Sequence, residues 1–357
     1  MRRFASALLP VLACAPLALR PAPLAAQARP FLVGSITARP GEKASGYLDV
    51  AAGVDSGTRI PVTVIQGREP GPVLALIGGT HGVEYNPMLA LQRVRRDLDP
   101  AQLKGTVIIV HVANLPSFQR RTIYYSPVDW KNLNRVYPGR RDGTVSERIA
   151  WTITNEVIDR CDYLVDMHSG DGNEDLISYD YWNKQGLDAR ADSIGRDMAM
   201  AWGSHGIVID TERPRDRDAS LYTQNTAQLR GKPSITAEDG YLGLVREDMI
   251  QRNYEGAFRI LRYLKMLPGA AELTDHPVWY DPTVVLQSPA TGMWFPLVEV
   301  GQWVPAGKIV GYVTDYFGER IADVTAPFAG VMLYVVKTPP TGQGEPVGMV
   351  GAPRAQP

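Results

Sequence analysis

The chain has 357 residues, of which 45% are hydrophobic and 21% are charged, the balance of an ordinary globular protein. The 37 Lys and Arg residues nearly cancel the 38 Asp and Glu residues, which argues against non-specific nucleic-acid binding because that function needs a basic excess. Length and composition exclude a fibrous, a disordered and a multispan membrane protein, and they favour roughly two domains.

Residues 1–28 are predicted to be a secretory signal peptide. Met1-Arg2-Arg3 is a basic start, an apolar run follows over 4–19, and Ala26-Gln27-Ala28 is a small-x-small cleavage site. The apolar run is shorter than the roughly 20 residues that a spanning helix needs. The sequence therefore predicts an exported protein, periplasmic or secreted, without a stable membrane span. An uncleaved anchor and a lipoprotein acylated at Cys14 are the alternatives.

Removal of the signal peptide leaves Cys161 as the one remaining cysteine, so no internal disulfide can form. A chain of this length can instead rely on a full hydrophobic core. Cys161 precedes a strand-like run and is predicted to be a buried, inert thiol.

Short apolar runs alternate with longer amphipathic ones between Thr58 and Pro268. Near-continuous apolar runs, typical of strands buried on both faces of a sheet, lie at 73–77, 107–112, 163–167, 206–209 and 234–237. Apolar residues at helical spacing lie at 88–98, 146–158 and 253–267. The alternation predicts an α/β domain with a largely parallel or mixed sheet and helices on both faces. Ligands of such sheets bind where loops leave the carboxyl ends of the strands.

The pattern changes after Pro268-Gly269, and residues 283–352 become short β-like runs separated by Gly and Pro. This stretch repeats itself: Ser288–Gly292 recurs as Ala326–Gly330, and Gly307–Gly311 recurs as Gly344–Gly348. The repeat predicts a small β-sandwich from a duplicated unit, which resembles the barrel-sandwich hybrid of lipoyl and biotinyl carriers. The turn between the halves, 315–320, lacks the Lys that carriers modify, which argues against a carrier role.

Three side chains suited to bind a metal follow predicted strands. His81 and Glu84 are three residues apart in a glycine-containing loop after the run that ends at Ile77, and His168 follows the run over 163–167. Two His and one Glu are three ligands for Zn²⁺ and leave a fourth position for water, as catalytic zinc requires. The alternative is a pair of loop histidines with satisfied hydrogen bonds and no metal.

Another predicted strand ends in an acidic residue, Glu238, before a glycine turn. A carboxylate beside zinc-bound water can take its proton and later protonate the leaving amine. A surface or helix N-terminal acid is the alternative, and it suits the adjacent Asp239 better.

Two further segments, 114–121 and 129–139, carry arginines. Arginines can bind a substrate carboxylate in bidentate fashion or stabilise a developing oxyanion. A solvated basic loop is the alternative.

Together, His81-x-x-Glu84, Asn134-Arg135-x-x-Pro-Gly, His168 and Glu238 resemble the motifs of the succinylglutamate desuccinylase/aspartoacylase family, which belongs to the wider zinc carboxypeptidase-like fold. The resemblance covers roughly residues 55–352. It implies a zinc-dependent catalytic domain over 29–270 and a β-rich C-terminal domain over 271–357.

The resemblance also implies roles for single residues. One Zn²⁺ per chain is expected to be bound by His81, Glu84 and His168, with Glu238 as general base and acid. Substrate binding is expected from the segments 114–121 and 129–139: Asn134 and Arg135 would hold a substrate carboxylate, and Arg121, or equally Arg120, would stabilise the oxyanion.

The chain departs from the family in three respects. Asn132 stands where the family usually has Asp, which affects how that loop is braced. A signal peptide is unusual for the cytosolic members that act on succinylglutamate or acetylaspartate, so an exported acyl-amino acid, peptide or cell-wall fragment is favoured. Between His168 and Glu238 no position matches the additional substrate-recognition residues of the family, and Arg213, Arg215, Arg217 and Tyr222 stay unassigned.

We expect a zinc-dependent deacylase that cleaves an amide or ester bond next to a carboxylate, in an N-acyl amino acid. The alternative is a metallocarboxypeptidase that acts on peptides or cell-wall fragments. The expected partner is a small-molecule or peptide substrate with a carboxylate, whereas neither nucleic acid nor a membrane span is expected, and the oligomeric state is left open.

Overall fold

A computed structural model describes residues 29–357 of the chain. The predicted signal peptide, including Cys14, lies outside the described residues. The strands are β1 (Phe31–Val33), β2 (Ile36–Ala38), β3 (Glu42–Val50), β4 (Thr58–Gln66), β5 (Glu69–Gly78), β6 (Lys104–Val110), β7 (Tyr163–His168), β8 (Glu174–Leu176), β9 (Tyr179–Asn183), β10 (Gly206–Asp210), β11 (Ser234–Glu238), β12 (Val278–Gln287), β13 (Gly292–Pro296), β14 (Trp303–Val304), β15 (Ile309–Thr314), β16 (Arg320–Thr325), β17 (Gly330–Val336), β18 (Pro340–Thr341) and β19 (Pro346–Arg354). The helices are α1 (Tyr85–Asp97), α2 (Leu115–Arg120), α3 (Val145–Glu156), α4 (Ala189–Trp202), α5 (Thr223–Gln228) and α6 (Glu247–Tyr263).

A mixed sheet of thirteen strands is the framework of the molecule. Its order is β14-β17-β19-β12-β10-β9-β11-β7-β5-β6-β4-β3, with β8 beside β17. The central strands β11, β7, β5 and β6 are mutually parallel, whereas β9 runs antiparallel to β11. These central strands are almost continuously apolar because helices cover both faces of the sheet. The predicted mixed α/β architecture is confirmed.

Helices pack on each face through one apolar stripe. On one face, Leu91 of α1, Met198 of α4 and Ile260 of α6 join the core. On the other face, Ile149 of α3 and Ala227 of α5 do so. The start of α3 is set by a capping box, in which the side chains at 144 and 147 satisfy free backbone N–H groups.

Several elements lie outside the predicted ones. Strands β1–β4 and β9 and helix α4 have no counterpart among the predicted runs. Strand β3 is at the edge of the large sheet and carries Glu42, Lys43 and Asp49, so it contains no apolar run. Helix α6 begins earlier than the predicted 253, because Glu247 and Asp248 suit the positive end of the helix dipole.

The C-terminal strands form a β-sandwich that extends the same sheet. A separate antiparallel sheet, β16-β15-β13-β18, packs over β12, β17 and β19 through a core that includes Trp294, Val313 and Leu333. The repeated segments begin β13 and β17, and these strands pair with β15 and β19 respectively. The two halves interlock, because β14 pairs with β17 and β18 pairs with β13. Within residues 29–357, no helix is both long and apolar enough to cross a membrane.

Candidate metal centre and active-site cavity

Three side chains meet where two neighbouring strands end. His81 and Glu84 lie in the loop between β5 and α1, and His168 is the last residue of β7. Because β5 and β7 are parallel neighbours, their carboxyl ends bring this loop and His168 together. A ligand atom of each residue lies within 4.8 Å of the other two, and all three side chains are buried. The sequence predicted that these three side chains lie close together, and the group they form could hold a metal ion.

Both histidines turn their Nδ1 atoms towards Glu84. The distances are 2.7 Å from His81 Nδ1 to Glu84 Oε1 and 3.1 Å from His168 Nδ1 to Glu84 Oε2. Oxygen atoms face the opposite ring nitrogens: Asn132 Oδ1 lies 3.2 Å from Nε2 of His81, and Asp166 Oδ2 lies 3.1 Å from Nε2 of His168. With these oxygens as acceptors for a proton on Nε2, each histidine could offer the lone pair of its Nδ1 to a metal.

The charges in this group fit a cation. Burial alone raises the pKa of Glu84, but the positive charge of protonated His168 and His81 outweighs this effect and holds the pKa well below its usual value, so Glu84 is ionised when positive charge lies beside it. Glu84 Oε2 is buried and has no hydrogen-bond partner of acceptable geometry among the described residues. An ionised, buried oxygen without a donor is costly unless a cation completes its environment. The residues present therefore fit a bound divalent metal.

Glu238 lies beside this group because its strand is in register with β7. In the parallel pair β11·β7, Glu238 is the partner of His168, and its side chain lines the cavity. Burial raises the pKa of Glu238 to about 8, against the opposing positive charge of His168. The position suits a general base, which is the role that the resemblance implies.

Asp239 is a buried acid that links the end of β11 to two helices. The prediction that it is a surface or helix N-terminal acid is wrong. It is fully buried, and its carboxylate accepts hydrogen bonds from Trp202 Nε1 (2.7 Å) and Arg252 Nε. Its backbone N–H donates to the carbonyl of His168 at 3.1 Å. The physical reason is that the chain packs against α4 and α6 as it leaves β11, and these contacts fix the strand end that carries Glu238.

The turn over 132–135 places two of the predicted substrate-binding residues on the cavity wall. Asn134 and Arg135 both line the cavity. Asn134 Oδ1 accepts from the backbone N (2.8 Å) and hydroxyl (3.1 Å) of Thr223, which fixes the amide. Asn132, in place of the Asp usual in the family, still braces the turn, because its Oδ1 accepts from the backbone N of Asn134 at 2.8 Å.

The two arginines at the C-terminal end of helix α2 do not line the cavity. Arg120 and Arg121 are exposed and lie outside the residues that line it. Arg121 caps α2 in the left-handed conformation (φ 54°), and the chain then turns so that Tyr124 enters the cavity instead. The Tyr124 hydroxyl donates to Glu174 Oε1 at 2.5 Å, and its ring is edge-on to His81. The oxyanion role of Arg121 stays a prediction, and no sequence motif had marked Tyr124.

The cavity has a volume of about 870 Å³ and draws its walls from distant parts of the chain. The β-rich C-terminal region contributes Val285, Tyr334, Val336 and Pro346. Arg213 and Tyr222, which the sequence left unassigned, also line it, whereas Arg215 and Arg217 are exposed elsewhere. The cavity therefore lies between the loop that carries His81 and Glu84 and the C-terminal sandwich.

Comparison with known proteins bears on what this cavity does. Residues 70–264 match the model of the succinylglutamate desuccinylase/aspartoacylase catalytic domain. The N-alpha-acetyl-L-2,4-diaminobutyric acid deacetylase of Halomonas elongata is 31% identical over 271 residues, which cover 74% of this chain and 77% of that protein. The chain belongs to the succinylglutamate desuccinylase/aspartoacylase family. It is thereby placed in a family of hydrolases that act as deacylases of N-acyl amino acids.

Solved structures of the family share this fold. The product-bound ectoine utilization protein EutE (DoeB) of Ruegeria pomeroyi has a TM-score of 0.77 at 25% identity, and the match covers 91% of this chain and 98% of that one. A succinylglutamate desuccinylase/aspartoacylase of Rhodobacter sphaeroides has a TM-score of 0.76 at 23% identity, with coverage of 88% and 97%. Because the matches extend over nearly the whole chain, the C-terminal strands are part of the family fold.

Proposed function

We propose that this member of the family is a zinc-dependent deacylase that cleaves an amide or ester bond next to a carboxylate, in an N-acyl amino acid. The observation that carries the proposal is the buried group of His81, Glu84 and His168 with Glu238 in register beside it. Two imidazoles and one carboxylate suit zinc and leave room for further ligands. A bound zinc ion would polarise the scissile carbonyl and make water more acidic.

Glu238 performs the proton transfers of the proposed reaction. Its carboxylate takes one proton from the attacking water, whose oxygen forms the new bond to the acyl carbon. The bond between that carbon and the amine nitrogen then breaks, and Glu238 returns the proton to the nitrogen. The products are a carboxylic acid and a free amine, so one water is consumed for each bond cleaved.

Asn134 and Arg135 bind the substrate carboxylate in this proposal. The Arg135 guanidinium makes no ion pair with any described residue, and its Nη1 donates only to the backbone oxygen of Asn134 at 2.8 Å. A guanidinium with free N–H groups binds carboxylates in bidentate geometry. The carboxylate then fixes the distance between this turn and the bond to be cleaved.

The proposal is tested by metal analysis of the purified protein together with a hydrolysis screen over N-acyl amino acids, short peptides and simple esters. The screen includes N-alpha-acetyl-L-2,4-diaminobutyric acid, for which the 31% identical relative is named. We expect stoichiometric zinc, release of free amino acid from N-acyl substrates, and loss of activity with a chelator. Protein without stoichiometric metal whose activity resists chelation contradicts the zinc mechanism. Release of C-terminal residues from peptides without deacylation favours a carboxypeptidase.

Export is also proposed, on the basis of the basic start, the apolar run and the small-x-small site at 26–28. Cell fractionation followed by N-terminal sequencing checks it, and we expect a mature chain that begins at Arg29 outside the cytoplasm. An uncut chain in the cytoplasmic fraction contradicts it.

A further inference from the structure

Part of the cavity wall is built from two arginines that share one tyrosine ring. The guanidinium carbon of Arg213 lies 3.9 Å from the ring centroid of Tyr222, and that of Arg135 lies 4.6 Å from it. A second ring, that of Tyr181, lies 5.4 Å from the Arg213 guanidinium. All four residues line the cavity. Stacking holds each guanidinium against a rigid ring and leaves its N–H groups available to a ligand.

The ring that both arginines contact, that of Tyr222, is fixed to the turn that carries Arg135. Tyr222 immediately precedes α5, and the next residue, Thr223, donates twice to Asn134 Oδ1. On its other side, Leu221 exchanges two backbone hydrogen bonds with Tyr137, of 2.9 and 3.3 Å. The positions of both guanidinium groups are therefore set before any ligand binds, which lowers the entropic cost of binding.

The charge at this place is not balanced. The Nε of Arg213 donates to Asp210, but within the described part of the chain its two Nη atoms have no hydrogen-bond partner. Arg135 has no carboxylate partner there, so two cations share one acid. The Arg213 side chain is only 14% exposed, so solvent screens its charge poorly. Such a site attracts an anion.

We propose that Arg213 is a specificity-determining residue that binds the substrate carboxylate together with Arg135. The inference rests on the proposed deacylase function and adds a second guanidinium to its carboxylate site. The selected substrates are N-acyl compounds whose amine-derived part keeps a free carboxylate, and compounds in which that group is amidated are rejected. A purely structural Arg213, which only supports Tyr222 and pairs with Asp210, predicts no such selection.

Calorimetry measures ligand affinity on the metal-loaded Glu238→Gln protein, which turns substrate over slowly. It distinguishes a carboxylate-binding Arg213 from an Arg213 that is purely structural. The probes are N-acetyl-L-alanine and N-acetyl-L-alaninamide, which differ only in the carboxylate. We expect the carboxylate to bind at least about 30-fold more tightly than the amide, and the preference to fall below about 3-fold after a further Arg213→Gln change. Arg213→Lys keeps a cation beside Asp210, but an ammonium cannot bind a carboxylate in the bidentate geometry of a guanidinium. We therefore expect an intermediate preference for the carboxylate over the amide. Arg215→Gln, at an exposed position two residues away, is the matched control and leaves the preference unchanged.

The preference for N-acetyl-L-alanine over its amide tests the role of Arg213 whether or not the chain is a deacylase. An undiminished preference in folded Arg213→Gln and Arg213→Lys proteins overturns the inference, and so does failure of both probes to bind. The remaining outcome is that the preference depends on Arg213 but the protein without substitutions hydrolyses no N-acyl amino acid. In that case the inferred carboxylate site is supported and the proposed function is contradicted.

Discussion

Glu238 and His168 occupy paired positions on two neighbouring parallel strands, β11 and β7. The pairing puts an acid beside a candidate metal ligand without any loop between them. Behind it, the backbone N–H of Asp239 donates to the carbonyl of His168, and the Asp239 carboxylate is held by Trp202 and Arg252. The distance between Glu238 and His168 is therefore set by the register of the two strands and by the buried hydrogen bonds of Asp239.

Replacement of the acid tests its role as base. We expect Glu238→Gln to lower kcat by on the order of 10²–10⁴-fold, because an amide cannot accept the proton of water. Metal content, measured on the same preparation, is expected to stay at the parent value. Glu247→Gln, at an exposed glutamate that pairs with Arg93 at the start of α6, is the control with parent activity. Full activity of Glu238→Gln with bound metal would remove Glu238 from the mechanism.

Asp166 is expected to act through His168. One of its oxygens lies 3.1 Å from His168 Nε2, and the residue is fully buried. We expect Asp166→Asn to weaken metal binding by about 10–100-fold, because the His168 ring loses the carboxylate oxygen that faces its Nε2. Competition with a chromogenic chelator measures this, with the exposed Asp275→Asn as control. Parent affinity in folded Asp166→Asn protein contradicts the prediction.

Arg121 tests the oxyanion role that the family resemblance implies. Its side chain is exposed and outside the cavity, so we expect Arg121→Ala to change kcat/KM by less than about 3-fold, as for other exposed sites. Arg120→Ala is the matched comparison. Steady-state kinetics on the best substrate of the screen decides. A loss of about 10²–10³-fold in Arg121→Ala alone would show that the loop brings this arginine to the substrate.

His111 is expected to make stability depend on pH. Burial lowers the pKa of His111 to about 4 from its ordinary value of 6.5, and the positive charge of Arg95 adds to this effect. Between these pH values the unfolded chain binds a proton that the folded chain does not, so stability falls as pH falls. The loss approaches about 3 kcal/mol at pH 4.

Urea unfolding with and without His111→Gln, both with a metal chelator present, isolates this contribution. The free-energy difference between the two proteins is expected to shift across this pH interval and to be constant above it. A difference that does not change with pH would show that His111 titrates alike in the folded and unfolded chains.

Cys161 is expected to be unreactive in the folded protein. It is fully buried, and burial raises the pKa of its thiol to about 12, so almost no thiolate forms at neutral pH. In protein that comprises residues 29–357, we expect an aromatic disulfide reagent to label no thiol in buffer and one thiol in urea. Rapid labelling in buffer would contradict the predicted burial.

Among the strands of the large sheet before residue 270, the sequence predicted those whose burial is nearly complete. Strands β5, β6, β7, β10 and β11 are central in the sheet, so their sequences are apolar runs that can be recognised without a structure. Edge strand β3 is half solvated and carries charges, so its sequence resembles a loop. The repeat between 288 and 348 indicated the C-terminal sandwich but not that its strands extend the large sheet, because strand pairing depends on contacts between distant segments.

The sequence by itself determined which residues form the candidate site: His81, Glu84, His168 and Glu238 lie at or just after the carboxyl ends of strands, and their spacing carries the family motifs. That is possible because only a few residue types can bind a metal, and in such sheets they lie at the carboxyl ends of strands. Only the tertiary structure decided which side chains surround them, namely that Tyr124 rather than Arg121 enters the cavity and that Arg213 stacks on Tyr222 beside Arg135. These residues belong to no local pattern, since their positions depend on how a left-handed turn, a strand end and a distant helix pack together.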